Sequence, residues 1–188
     1  HASKVMASAL QLRRIIEDMV NLRYLKQSPS EMFMERLTPQ DILDEMESEA
    51  RPLAEAKRHT LIIIPQQEEV FVNVDRARLQ MAIGNLMNNA IRFTPEGGTI
   101  TISTKVHNRR EIWLMIQDNG IGIEKKELER VFEEFYQVED HMTRRHGGLG
   151  IGLSIARALV RSHNGRLWAE SAGLGQGTTF FIALPWAK

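Results

Sequence analysis

Asn85-Leu86-Met87-Asn88-Asn89-Ala90-Ile91-Arg92-Phe93-Thr94-Pro95 carries the most informative side-chain pattern in the chain. Asn85 and Asn89 stand four residues apart and Arg92 follows three later, so on a helix all three share one face. Leu79, Ile83, Leu86 and Ala90 take an adjacent, apolar face. An ordinary surface helix would carry Glu and Lys beside its buried stripe, and two amides with a guanidinium are a different chemistry. Amide oxygens can ligate a hard cation such as Mg²⁺, and a guanidinium can hold phosphate.

Composition narrows what that chemistry can serve. The 188 residues suffice for one good core plus an appendage. Apolar content of 43% and charged content of 26% fit a soluble globular protein. A formal net charge of zero gives no support to bulk binding of nucleic acid or of acidic membrane. The absence of cysteine excludes disulfides and thiolate metal sites. No apolar run approaches the roughly 20 residues of a membrane helix, and the stretch after Lys4 is mixed rather than the apolar core of a signal peptide.

Outward from the central stretch, the chain alternates helical and strand patterns. Residues 2–26 read as a long helix with a heptad-like seam, Val5, Leu12 and Met19 with Ile15 and Leu22, suited to a bundle or coiled coil; a plain amphipathic helix is the alternative. Ser28-Pro29-Ser30 stops it. Thr38-Pro39 reads as an N-cap followed by proline at the first helical position of a helix to about Lys57, which Pro52 is expected to kink or interrupt. Leu61–Ile64 and Val70–Val74 have strand character, and Asp75 caps the helix that carries the central stretch. Thr99–Val106 alternates apolar and polar residues, Asn108-Arg109-Arg110 turns the chain, and Glu111–Gln117 pairs back as a hairpin. A short helix is expected over Lys125–Glu134, a polar, basic loop over Tyr136–Gly148, an amphipathic helix over Gly150–His163, and strands over Arg166–Glu170 and Thr178–Leu184. With about five strands and three substantial helices in mixed order, the pattern predicts an α+β fold, a two-layer α/β sandwich preceded by one long bundle-type helix. The expected division is residues 1–34 and residues 35–188.

Three glycine clusters call for a reason. Gly148-Leu149-Gly150-Ile151-Gly152 stands just before a helix, where free N–H groups can bind phosphate. It is not a Rossmann fingerprint, because a basic polar loop and no strand precedes it, and it is not a P-loop, because no Gly-Lys-Ser/Thr follows. A flexible linker into the helix explains it equally well. Asp118-Asn119-Gly120-Ile121-Gly122 follows a strand: its carboxylate could accept a hydrogen bond from an exocyclic amine with Gly122 leaving room for a flat ring, or it could be a tight Asx turn. Gly175-Gln176-Gly177-Thr178-Thr179-Phe180 could be a hairpin turn and nothing more.

In this order and spacing, the pieces resemble the catalytic, ATP-binding domain of sensor histidine kinases, within the wider Bergerat-fold family that includes DNA gyrase, the large heat-shock ATPase chaperones and the mismatch-repair protein MutL. The resemblance covers about residues 36–188. Asn85–Pro95 resembles the N box, Asp118–Ile123 the first glycine box, Val131–Tyr136 the F box, Gly148–Leu153 the second glycine box and Gly175–Phe180 the third. It implies a mixed sheet packed on three helices and a site for ATP or ADP with Mg²⁺. Asn89 is implied as the Mg²⁺ ligand, Asn85 as its neighbour near the phosphates, and Arg92 as a phosphate contact. Phe93 would lie against the adenine. Asp118 would read the adenine amino group, with Gly120, Gly122 and Ile123 around it and Thr178 supporting through water. Tyr136 would open a lid carrying Arg144 and Arg145 toward the triphosphate. Gly148, Leu149, Gly150, Ile151, Gly152 and Leu153 would wrap the phosphates.

Gyrase-like ATPases usually carry a glutamate, as general base, four residues before the metal-binding asparagine. Here Asn85 stands there, and an amide cannot take a proton. The resemblance therefore implies phosphoryl transfer to a histidine rather than hydrolysis, with Asn85, Asn89 and Arg92 as the catalytic set. The N-terminal helix resembles the second helix of a dimerisation hairpin, which implies a homodimer in the intact protein, a response-regulator receiver domain as partner, and a cytoplasmic setting, alone or beneath a membrane anchor. A histidine followed by an acidic residue and a proline marks the phosphoacceptor in that family, and none of His1, His59, His107, His141, His146 or His163 has this context. The alternatives are an ATP-hydrolysing conformational clamp of the same fold and a non-catalytic dimerisation or interaction module.

Overall fold

The computed structural model describes residues 31–65, 68–138 and 150–187, together with Leu12, Ile16 and Met19. These last three lie on a helix and are exposed. The rest of the expected N-terminal helix, with its Ser28-Pro29-Ser30 stop, falls outside the described residues, as do Arg144, Arg145, Gly148 and Leu149.

In chain order the elements are β1 (Met34–Leu37), α1 (Pro39–Ala56), β2 (Thr60–Ile64), β3 (Phe71–Asp75), α2 (Arg76–Phe93), β4 (Thr99–His107), β5 (Glu111–Asp118), α3 (Gly152–Ser162), β6 (Arg166–Glu170) and β7 (Thr178–Ala187). Seven strands form one mixed sheet in the order β1-β3-β7-β5-β4-β2, with β6 also paired to β7. The β2–β4 pair is parallel and the other pairs are antiparallel. Strand alternation puts Ile100, Ile102, Ile112, Leu114, Ile116, Phe180, Ile182 and Leu184 on the face that packs against the helices, and all are buried. The opposite face carries a cluster of half-buried aromatic rings, with Trp168 stacked on Phe181 at 4.9 Å and Trp113 edge-on to both.

The helix starts are specified locally. Thr38 and Asp41 form a reciprocal capping box. Asp75 accepts the N–H of Arg78 at 3.1 Å. The end of α3 is tied to the start of α2 through buried His163, whose Nδ1–H donates to the Leu159 carbonyl (2.8 Å) while Nε2 accepts the Asp75 N–H (3.0 Å). α2 and α3 therefore reach the sheet as a fixed pair, with Leu79, Ile83, Leu86, Ala90, Ile155, Ala156 and Leu159 buried.

Three expectations need correction. The sheet has seven strands rather than about five. β1 was invisible because only Leu37 of its four residues is buried, and backbone pairing to β3, not an apolar pattern, makes it a strand. Pro52 does not break α1, which runs from Pro39 to Ala56 with Ala50 and Ala54 buried on either side of it; the Ser48 carbonyl that proline leaves without a partner belongs to an exposed residue. The segment read as a helix over Lys125–Glu134 is two 3₁₀ turns, Lys125–Glu127 and Arg130–Phe132. Its buried contacts are two separate anchors, Glu127 and Phe132, and not a continuous stripe.

Candidate functional site

The helix α2 presents Asn85, Asn89 and Arg92 on a half-buried face, beside the buried Leu86 and Ala90. Asn85 is anchored through its amide nitrogen and lies against Gly152 with its oxygen. Its Nδ2 donates to the Met81 carbonyl at 3.0 Å, and its Oδ1 lies 3.1 Å from where a Cβ on Gly152 would stand. Gly152 opens α3, so the missing side chain there lets the second glycine cluster close onto the helix of the first motif. Asn89 makes no side-chain hydrogen bond among the described residues. A half-buried carboxamide oxygen left in this state is a suitable hard ligand for Mg²⁺. No cluster of three or more acidic or histidine side chains stands ready to hold a cation among the described residues. Arg92 lies over the Phe93 ring, 5.0 Å from its centroid.

The end of α2 meets the turn after β5. The Phe93 carbonyl accepts the Ile121 N–H at 3.2 Å. A Cβ on Gly120 would stand 2.4 Å from that carbonyl oxygen, too close for any side chain. The Gly120 N–H in turn donates to Asp118 Oδ1 at 2.9 Å.

Asp118 is 6% exposed. Burial pushes its pKa up to about 6, against the backbone N–H groups of Gly120 and Thr178, which hold it down. Its strand partner is Thr178, the first residue of β7. Gly177, just before, has φ +69° and passes so close that a Cβ would be 2.0 Å from the Asp118 carbonyl oxygen. The two glycine turns are laced together by Gly175 N–H to Ile121 carbonyl (2.7 Å) and Gly177 N–H to Gly120 carbonyl (3.1 Å). Gly122, at φ +71°, backs onto the Gly173 carbonyl.

Ser171 is a site residue that the motifs do not single out. Its hydroxyl donates to the Gly177 carbonyl (2.6 Å) and accepts the N–H groups of Ile123 (3.0 Å) and Gly173 (3.2 Å). One side chain thereby fixes three points of the two turns. The Ser-x-Gly spacing with a side-chain bond two residues ahead is an ST-turn, and that was the signal available.

Of the remaining expected residues, Ile151 is buried, and Leu153 and Ile123 pack partly buried against the core. Gly150, at φ +72°, packs on the Tyr136 carbonyl, where a Cβ would meet it at 2.6 Å. The Tyr136 hydroxyl donates to buried Glu127, and the Arg130 guanidinium lies 4.3 Å from the centre of its ring. The buried Phe132 sits edge-on to Phe180, with Arg157 over its ring. The structure thus brings Asn85 to Gly152, Phe93 to Gly120, and Asp118 to Gly177 and Thr178.

The site is thus a capped helix facing glycine turns around a buried carboxylate, on an open mixed sheet. Residues 74–188 match the family described as histidine kinase-, DNA gyrase B-, and HSP90-like ATPase, and the chain belongs to that family. It is 40% identical over 121 residues to the sensor histidine kinase WalK of Bacillus subtilis (strain 168), a match that covers 64% of this chain and 20% of that protein. The chain thus spans about a fifth of that curated relative's length. Its fold is similar to full-length ShkA in complex with AMPPNP, with a TM-score of 0.83 at 23% identity over 100% of this chain and 39% of that one. It is also similar to the histidine kinase ThkA in complex with the response regulator TrrA, with a TM-score of 0.75 at 22% identity over 96% of this chain and 49% of that one. No helix among the described residues is long and apolar enough to cross a membrane.

The Asp118 environment predicts a pH signature. Its pKa is raised on folding from 3.8 to about 6, so its contribution to stability is complete below about pH 4 and is lost as pH climbs through about 6. The loss is on the order of 3 kcal/mol. Asp118→Asn removes that charge, so urea titrations from pH 4 to 7 should show the variant matching wild type at pH 4 and exceeding it at pH 7. A constant difference across the range would contradict the assignment.

Proposed function

We propose that this chain is the ATP-binding catalytic domain of a two-component sensor histidine kinase. In the intact protein it would transfer the γ-phosphoryl group of MgATP to a histidine on a dimerisation helix, from which a response-regulator aspartate takes it. The observation that carries the reading is the buried Asp118 carboxylate, held between two interlaced glycine turns whose backbones approach too closely for a side chain. Such a group is an acceptor for the exocyclic amine of adenine.

Each residue has a stated task. Asp118 accepts from the amine, and Gly122 and Thr178 border it. Phe93 lies against the base. Asn85, Asn89 and Arg92 line the phosphate side with Gly150, Ile151 and Gly152, and Arg144 and Arg145 reach the triphosphate. Asn89 holds Mg²⁺, which supplies charge neutralisation along the triphosphate when bound. Transfer rather than hydrolysis is supported by Asn85. Its amide nitrogen is already committed to the Met81 carbonyl, and an amide cannot take a proton from water.

The setting is a cytoplasmic domain that dimerises through the N-terminal helix and meets a receiver domain. Exposed Leu12 and Met19, seven residues apart on the expected seam, support a helix that seeks a second one. None of the six histidines in residues 1–188 has the acidic-then-proline context of an acceptor. His59 and His163 are buried and hydrogen-bonded, and His107 is stacked on Trp113.

Calorimetric titration with ATP tests this reading. Wild type should bind in the presence of Mg²⁺, and Asn89→Ala should weaken the Mg²⁺-dependent part about tenfold or more; an unchanged variant would remove Asn89 from the metal site. With γ-labelled ATP the chain should acquire no stable label and release phosphate no faster than a blank. Stable self-labelling or steady turnover would each overturn the transfer reading as drawn.

A further inference from the structure

The C-terminal carbonyls of α2 have unusual partners. An α-helix leaves its last four carbonyls without intrahelical donors, and these normally turn to water. Here the Ile91 carbonyl accepts the Lys57 ammonium at 2.9 Å, and the Arg92 carbonyl lies 3.5 Å from the same Nζ. The next carbonyl, that of Phe93, accepts Ile121 N–H. The carbonyls of Thr94 and Pro95 both face His59 Nε2 at 3.1 Å. Both are acceptors, so Nε2 carries the proton and shares it between them. Five consecutive carbonyls are thus taken, four of them by two side chains 34 to 36 residues earlier in the chain.

Lys57 and His59 reach this point because of how α1 ends. Lys57 is its C-cap, and Arg58 follows in the left-handed conformation at φ +55°. The N–H groups of Lys57 and His59 fold back to the Ala54 carbonyl at 3.1 and 2.8 Å. β2 then begins at Thr60, whose N–H bonds the Gly98 carbonyl. This tight turn presents an ammonium and an imidazole side by side to the negative end of the α2 dipole. His59 is buried, so its bond is shielded from competing water.

We infer that Lys57 and His59 are positioning residues of the nucleotide site: they clamp the end of α2 so that Arg92, Phe93 and the Gly120–Ile121 turn keep the spacing the ligand needs. The inference rests on the nucleotide-binding reading above. The clamped helix end carries Arg92 and Phe93. The Phe93 carbonyl, between the clamped ones, is the point on which Gly120 and Ile121 close, and Gly120 N–H holds Asp118. A shift of the helix end by a few tenths of an ångström therefore reaches both the phosphate side and the base side. Both residues lie outside the part of the chain that matches the family, residues 74–188.

The test compares wild type with Lys57→Met and His59→Leu, as the full 188-residue chain, by ATP titration well below each variant's melting temperature. Each variant should bind ATP about tenfold more weakly while remaining folded by circular dichroism. Lys57→Arg and His59→Gln, which restore a donor at the same reach, should recover most of the affinity. Amide exchange adds a local readout: Ile121 N–H should exchange faster in the two apolar variants, with Leu159 and Val160 unchanged. If an apolar variant does not fold, Lys57→Gln and His59→Asn take its place under the same criteria. Folded variants with wild-type affinity and wild-type exchange at Ile121 would overturn the inference while leaving nucleotide binding intact. A wild-type chain that binds no ATP would overturn both.

Discussion

A carboxylate with 6% exposure is the constraint on which the rest of this structure turns. Burying Asp118 costs free energy that only directed N–H groups and a suitable ligand can offset. The turn after β5 supplies one donor from Gly120 and the start of β7 supplies another from Thr178. Neither backbone could come that close with a Cβ in place: one on Gly120 would strike the Phe93 carbonyl, and one on Gly177 the carbonyl of Asp118 itself. The glycines are there for close approach, and the Ser171 hydroxyl locks the approach in position.

The same logic extends to the helix. α2 is fixed at its start by Asp75, to which His163 binds from the end of α3, and at its end by Lys57 and His59. Between these tied ends lies the polar face of Asn85, Asn89 and Arg92, where, on the proposed function, a charged ligand would meet groups already held in place. Asn85 against Gly152 joins this face to the second glycine cluster. The sheet acts as the common base, since β5 and β7 carry Asp118 and Thr178 in register at the same end.

Much of this was legible in residue order. The alternation over Thr99–Val106 agrees with Ile100, Ile102 and Thr104 lying buried on one face, Thr38 and Asp75 announced their helices, and Asn108-Arg109 supplied the left-handed residues of the hairpin, at φ +50° and +51°. Family membership was legible because the boxes recur in fixed order. Lys57, His59 and Ser171 were not. They bind backbone carbonyls and N–H groups, which every residue has, at sequence separations of 34 to 48 where Lys57 and His59 meet α2 and Ser171 meets Ile123. No pairing of residue types marks such a contact. β1 and the two 3₁₀ turns escaped for a related reason, since tertiary partners rather than local periodicity decide them.

The most direct measurement is a cycle in which wild type and Asp118→Asn are each titrated with ATP and with purine riboside triphosphate, the analogue that lacks the 6-amino group. If Asp118 reads that amine, wild type should favour ATP by about tenfold to a hundredfold, and the preference should collapse in the variant. Equal binding of the two nucleotides by wild type, or a preference that survives in Asp118→Asn, would contradict a base-reading carboxylate at the centre of this fold.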